Sequence, residues 1–226
     1  MNIAIIPARG GSKRIKKKNI KIFFKKPMIS WAINSLRKSK LFDKILVSTD
    51  SLEIAKIAKN YGAEVPFLRS KKLSDDLTPT LPVIRDTILK LKDYHKIKNI
   101  CCVYPCSPFL NIKDLKSTYK ILKKSENKFV FPVIENSHPI QRSFRLKGKK
   151  NSVEFVFRSK EMSRTQDLEK TYYDAGQFYW GSIKTWMKKK RLHSGSNAFV
   201  VPSWRYVDID DLNDWIRAEK IFKLIK

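Results

Sequence analysis

Between Ile3 and Lys124 the chain alternates short apolar runs with amphipathic stretches, and this alternation constrains the fold more than any other feature. Residues 2–7 read as a strand, 28–38 as a helix, and 44–49 as a second strand ending at Asp50. Leu52, Ile54, Ala55, Ile57 and Ala58 keep helical spacing up to Gly62; residues 64–68 read as a short strand; Val83, Ile84, Thr87, Ile88 and Leu91 mark another helix. A buried strand at 100–104 and a helix around 113–124 complete the series. Helices placed between strands in this way are the right-handed crossovers of a parallel sheet. Ligands of such sheets sit at the carboxyl ends of the strands. That rule alone predicts Arg9, Asp50, Arg69 and Tyr104 at one edge, where a nucleotide can lie.

From about residue 129 the rhythm changes. Runs at 129–133, 143–146 and 153–157 read as strands between polar turns, with Gly148-Lys149-Lys150-Asn151 as a hairpin turn. Phe129, Phe131, Phe144, Phe155 and Phe157 make this stretch too apolar to stand alone in water. Residues 129–170 are therefore expected to form a β-rich dimerisation arm. A strand at 177–180, a basic helix at 184–190, a strand end at 207–209 and a closing helix at 212–224 finish the chain. Without repeats or flexible linkers, the 226 residues suit a single α/β domain, 1–226, with a Rossmann-like, mostly parallel sheet and helices on both faces. No apolar run reaches the ~18 residues of a membrane span, and the N-terminal apolar run reads as strand and not as a leader. A cytoplasmic protein is expected.

The first strand runs into Ala8-Arg9-Gly10-Gly11-Ser12-Lys13-Arg14, followed by Lys16-Lys17-Lys18-Asn19. Glycine lets backbone approach a ligand closely. Arg grips phosphate bidentately and Lys acts as a mobile point charge. Such a loop suits a polyphosphate, although on chemistry alone a solvated basic turn weighs equally. The four-residue insert of a P-loop is missing, and no G-x-G-x-x-G occurs.

The formal net charge of +27 raises a second class, a nucleic-acid-binding protein. Lys outnumbers Arg about three to one and is spread along the whole chain, whereas a binding face concentrates its charge. A Lys-biased proteome is the simpler cause, and no nucleic-acid partner is expected. Cys101, Cys102 and Cys106 form no C-x-x-C pair and read as reduced structural thiols. Asp208-Ile209-Asp210 alternates, so both carboxylates share a face and suit a hard cation, or equally a strand end before a helix cap.

The segment Ile5–Ile15 closely resembles the amino-terminal signature of the cytidylyltransferases that activate sialic-acid-like nine-carbon sugars as CMP-sugars. The likeness continues through Phe42–Ser51 and Tyr61–Arg69 and returns at Val207–Asp210, so it covers nearly the whole chain. It implies a nucleotide-diphospho-sugar transferase type of fold. It also implies a homodimer in which each arm reaches towards the other active site, and attack of the sugar's anomeric hydroxyl on the α-phosphate of CTP. Ala8, Arg9, Ser12, Lys18, Asn19, Arg69, Thr78 and Thr80 then match nucleotide-binding positions. Arg9, Lys18, Asp208 and Asp210 match catalytic ones, the two aspartates holding Mg²⁺. Arg164 and Gln166 match an Arg-x-Gln element that clamps the sugar carboxylate.

The sugar side departs from the common sialic-acid pattern. Tyr104 replaces a Gln, and Asp174-Ala175-Gly176-Gln177-Phe178-Tyr179-Trp180 replaces an Asn-Gly-Ala element. Together with His138-Pro139-Ile140-Gln141-Arg142, this run looks like the branch acting on pseudaminic acid. Tyr104, Gln141, Arg142, Arg164, Gln166, Gln177 and Tyr179 are the expected sugar-binding residues. The expected activity is formation of CMP-pseudaminic acid and pyrophosphate for surface glycan or flagellin glycosylation, the alternatives being CMP-N-acetylneuraminate or CMP-legionaminate.

Overall fold

The computed structural model describes residues 1–225. The first part supplies β1 (Asn2–Pro7), the short β2 (Ile22–Phe23) and β3 (Lys26–Pro27), α1 (Met28–Ser39), β4 (Lys44–Ser48), α2 (Leu52–Asn60), α3 (Thr80–Leu89), β5 (Asn99–Val103) and α4 (Ile112–Lys123). The remainder adds β6 (Val130–Glu135), β7 (Phe144–Lys147), β8 (Ser152–Phe155), β9 (Tyr172–Asp174), β10 (Phe178–Ser182), α5 (Ile183–Lys188), β11 (Asn197–Val200) and α6 (Leu212–Ile225). A seven-stranded sheet runs in the order β11-β6-β10-β5-β1-β4, with β9 also paired to β6.

β1 lies parallel between β4 and β5. Its side chains alternate across the sheet: Ala4 and Ile6 pack under α1, α2 and α4, while Ile3 and Ile5 face α3 and α5. All four are fully buried, which is why this strand reads as one continuous apolar run. Helices therefore cover both faces, as expected. At ~1.5–3 kcal/mol for each fully buried large aliphatic side chain, the two layers flanking β1 anchor the loop that follows it. Ser51 caps α2 by accepting from the Ile54 N–H, and Gly62 follows the helix with φ 87°.

The sheet is mostly parallel, as expected, with two reversed members: β10 runs antiparallel to both β5 and β6, and β9 antiparallel to β6. Three local expectations change. Residues 64–68 form only isolated bridges to β4, because Pro66 has no N–H to donate. The strand end expected at 207–209 carries no ladder; pairing with β6 stops at the Val201 N–H, and Pro202 comes next. Finally, β6 is an interior strand with Phe129 and Phe131 buried against the core, so the arm starts only after Glu135. Its hairpin, β7–β8, is a separate two-stranded sheet turned by Gly148 and Asn151, both at positive φ. Phe144, Leu146, Val153 and Phe157 are exposed on it.

A third cluster ties the two ends of the chain together. Trp215 and Phe222 of α6 meet Phe23 edge-on at centroid distances of 5.4 and 5.1 Å. Ile209 is 1% exposed within that cluster.

Gly181 in β10 has no room for a side chain: an added Cβ would lie 2.8 Å from Phe129 Cδ1 and 3.0 Å from Trp186 Nε1. Phe129 and Trp186 are themselves fully buried. Gly181→Ala should therefore destabilise the fold by ~1–3 kcal/mol, read as a lowered Tm. Gly11→Ala, which meets nothing within 4 Å, should leave Tm in place.

Candidate active site

A cleft of about 660 Å³ opens at the carboxyl edge of the sheet. Pro7 at the end of β1 and Tyr104 just after β5 form its floor, as the strand-end rule predicts. Gly176 enters from the antiparallel side: it precedes β10, whose reversed direction brings its beginning, not its end, to this edge.

The loop after β1 forms one wall. Its shape depends on backbone anchors. Gly10 donates its N–H to Asp50 Oδ1 at 2.8 Å, and Asn19 Nδ2 donates to the Arg9 carbonyl at 2.9 Å. Ala8 is fully buried beneath the loop, with its N–H on the Ser48 carbonyl, and does not itself line the cleft. Arg9, Ser12, Lys18 and Asn19 all line the cleft, joined by Lys13 and Arg14. Cys106 lines it too; burial pushes its thiol up to about 12, so it stays protonated at neutral pH.

The opposite wall is the segment from Arg69 to Thr80. Asp75 folds it by accepting the Leu77 and Thr78 N–H groups at 3.0 and 2.6 Å. Arg69 is buried, bonded through Nε to Ser74 Oγ at 3.1 Å. Desolvation lowers its pKa and Asp50 opposes that shift; a guanidinium nonetheless stays charged at any physiological pH. Thr78 and Thr80 line the same wall.

Asp208 and Asp210 close the cleft from the carboxyl-terminal side. Burial of Ile209 forces both neighbours outward, so the alternation expected from the sequence holds without a ladder. Lys18 Nζ donates to the Ile209 carbonyl at 2.6 Å, fastening this segment to the first loop. Arg205 pairs with the largely buried Asp114 of α4 at 2.7 Å and fixes the approach.

Five cations of the cleft (Arg9, Lys13, Arg14, Lys18, Arg69) face four carboxylates (Asp75, Asp76, Asp208, Asp210). Arg9 bonds Asp76 at 2.6 Å, Lys13 reaches the same carboxylate, and Arg14 and Lys18 hold Asp210 at 3.0 and 3.4 Å. Among the described residues Asp208 has no hydrogen bond or ion pair of its own. Desolvation, then repulsion from Asp210, raises its pKa above the ordinary carboxyl range, with Lys18 opposing.

The expected sugar-binding residues divide. Tyr104 lines the cleft; Gln177 and Tyr179 lie buried behind it. Gln141, Arg142, Arg164 and Gln166 sit on the arm and do not line the cleft of their own chain. There Gln141 donates to the Glu169 carbonyl, Arg142 to the Glu161 carbonyl at 2.7 Å, and Arg164 pairs with Asp167 at 2.7 Å. The sequence reading did not single out Lys13, Arg14, Asp75, Asp76 or Gly176. Lys13, Arg14 and Gly176 lie inside the quoted motifs, and Asp75 and Asp76 lie between the named Arg69 and Thr78, so spacing was the available signal.

Residues 3–192 match the family model of the cytidylyltransferases, and the chain belongs to that family. It is 40% identical over 226 residues to the pseudaminic acid cytidylyltransferase of Campylobacter jejuni subsp. jejuni, spanning 99% of this chain and 97% of that protein. Over 218 residues it is 31% identical to N-acylneuraminate cytidylyltransferase A of Danio rerio, covering 96% of this chain and 50% of that one. In backbone it resembles a CMP:2-keto-3-deoxy-manno-octonic acid synthetase solved with CTP, with a TM-score of 0.73 over 100% of this chain and 99% of that one. At 11% identity that likeness is one of fold.

A carboxyl whose pKa is raised on folding contributes most below its unfolded value, about 3.9, and that contribution is lost as pH rises through the folded value. Asp208 is therefore a burden to the ligand-free protein at neutral pH. Asp208→Asn should keep or raise Tm at pH 7 while turnover falls by roughly a hundredfold or more. A lowered Tm with turnover retained would return Asp208 to a structural role.

Proposed function

We propose that this cytidylyltransferase condenses CTP with a nine-carbon nonulosonic acid, pseudaminic acid, to give the CMP-sugar and pyrophosphate. The observation that carries the chemistry is the cleft itself: cations from two loops converge on a space bounded by an unpartnered carboxylate. The choice of sugar is supported by the full-length likeness to the Campylobacter enzyme and by Tyr104 and the Asp174–Trp180 run.

Arg9, Lys13, Arg14 and Lys18 exchange Asp76 and Asp210 for phosphate oxygens and neutralise charge as it moves onto the leaving group. The anomeric oxygen of the sugar forms a bond to the α-phosphorus of CTP. The bond from that phosphorus to the bridging oxygen breaks, pyrophosphate departs, and the hydroxyl proton passes to solvent. Arg69 and the backbone at Ala8 read the cytosine edge. Asp208, without a partner of its own among the described residues, and Asp210 beside it fit a divalent cation, since paired carboxylates are hard oxygen ligands. Mg²⁺ held by these two residues would supply charge neutralisation at the triphosphate.

Arg164 and Gln166 are assigned to the sugar carboxylate in a homodimer, where the arm of one protomer reaches the cleft of its partner. The exposed Phe144, Leu146, Val153 and Phe157 on β7–β8 give that contact an apolar face. Among the described residues no helix is long and apolar enough to cross a membrane.

Pyrophosphate release at fixed CTP should be at least about a hundredfold faster in kcat/KM with pseudaminic acid than with N-acetylneuraminic acid, since a buried pocket discriminates strongly when a hydrogen bond is lost. Faster turnover of N-acetylneuraminic acid would overturn the choice of sugar, and equal rates with UTP would overturn the base reading. Sedimentation at micromolar concentration should show a dimer, and Leu146→Glu should yield monomers.

A further inference from the structure

Asn19 closes the loop after β1. It is 5% exposed, and its backbone carbonyl accepts the Ile29 N–H of α1 at 2.8 Å. Its side-chain amide meets two groups. Nδ2 donates to the Arg9 carbonyl at 2.9 Å, and Oδ1 accepts the Cys106 thiol at 3.3 Å. The donor and acceptor roles here cannot be exchanged. A carbonyl only accepts, so the amide must turn Nδ2 to Arg9. Oδ1 then faces Cys106, and of those two groups only the thiol carries a proton. Burial keeps that proton in place at neutral pH.

Cys106 stands just beyond β5, the strand that runs parallel beside β1. Its side chain packs against the cluster that contains Ile15, Phe23, Phe109 and Ile209, so its seat does not depend on a ligand. The thiol thus ties the carboxyl end of one strand to the loop that leaves its neighbour. Asn19 Nδ2 carries a second N–H, which has no acceptor among the described residues, and Asn19 lines the cleft. An oxygen of a bound ligand is the partner left to it.

We propose that Cys106 is a positioning residue for the nucleotide side: its thiol holds the Asn19 amide in the one orientation that fixes the Arg9 carbonyl with one N–H and presents the other to an oxygen of the nucleotide. The inference rests on the functional reading above and deepens it, because the strand end that carries the sugar-side Tyr104 then serves the nucleotide as well. Loss of the thiol leaves the buried Oδ1 without a donor, or lets the amide turn and release Arg9. Either outcome costs more than a weak thiol bond itself contributes. No group of the sugar side takes part in these bonds.

The test is CTP binding in the presence of Mg²⁺ and without sugar, by titration calorimetry, together with the KM values for CTP and for the sugar that the wild-type enzyme prefers. Cys106→Ala should raise the Kd for CTP about fivefold. The sugar KM should stay within about twofold of the wild type. Cys106→Ser keeps a donor and should bind CTP within about twofold of the wild type, a rescue that a packing role would not produce. In an Asn19→Ala background, Cys106→Ala should add nothing, because both substitutions cut one series of bonds. Should Cys106→Ala fail to fold by circular dichroism, Cys106→Val fills the same space without a donor and takes its place against Cys106→Ser. Unchanged CTP affinity in the variants that lack a donor, Cys106→Ser as weak as Cys106→Ala, equal rises in both KM values, or losses that multiply in the double variant would overturn this inference alone. A wild-type enzyme that does not bind CTP would overturn the functional reading and this inference with it.

Discussion

Strand β1 is covered on both faces and paired on both edges, and the cleft hangs from its carboxyl end. A strand enclosed in this way cannot slip, because a shift of one residue would exchange its two buried faces. The loop that follows inherits that fixed origin. It is then held by Asp50 at Gly10, by Asn19 at the Arg9 carbonyl and by Lys18 at the Ile209 carbonyl. A dense set of cations on a loop anchored in this manner pays less reorganisation on meeting a polyphosphate than a mobile basic tail would.

The electrostatics of the cleft differ from those of the surface around it. The chain carries a formal charge of +27, yet inside the cleft cations and carboxylates are nearly balanced. Pairing with Asp76 and Asp210 orients the cations before a ligand arrives. Asp208, repelled by Asp210, is the one carboxylate there whose environment favours an incoming cation. Cations and a carboxylate free of any partner among the described residues thus face one another across one cleft. A general polyanion surface has no use for the acidic half.

The sugar side is built on different principles. It uses an antiparallel strand, a glycine at positive φ and the Tyr104 hydroxyl bonded to Thr80 in place of a dense set of cations. Its remaining expected members lie on the arm, where Gln141, Arg142 and Arg164 are bonded to other arm residues, with an apolar hairpin beside them. On the functional reading proposed above, recognition divides between a nucleotide half fixed by the parallel strands and a sugar half that involves the arm.

The sequence by itself determined the alternating α/β architecture, the buried first strand, the basic loop and the outward-facing pair around Ile209. Each of these follows from local periodicity, because burial on two faces or one leaves its imprint on neighbouring residues. The family resemblance, carried by contiguous motifs such as Ile5–Ile15, also singled out Thr78, Thr80 and Arg69, and all three line the cleft. Tertiary structure alone decided the reversal of β9 and β10, the inclusion of Phe129 and Phe131 in the core, and the loss of a ladder at Val207–Ile209. Strand direction and partner choice depend on residues far apart in the chain, which a local pattern does not encode. The same holds for Asp174 and His193: one carboxylate and one imidazole, 19 positions apart, carry no shared sequence signal and meet only because the end of β9 and the loop after α5 come within a hydrogen bond.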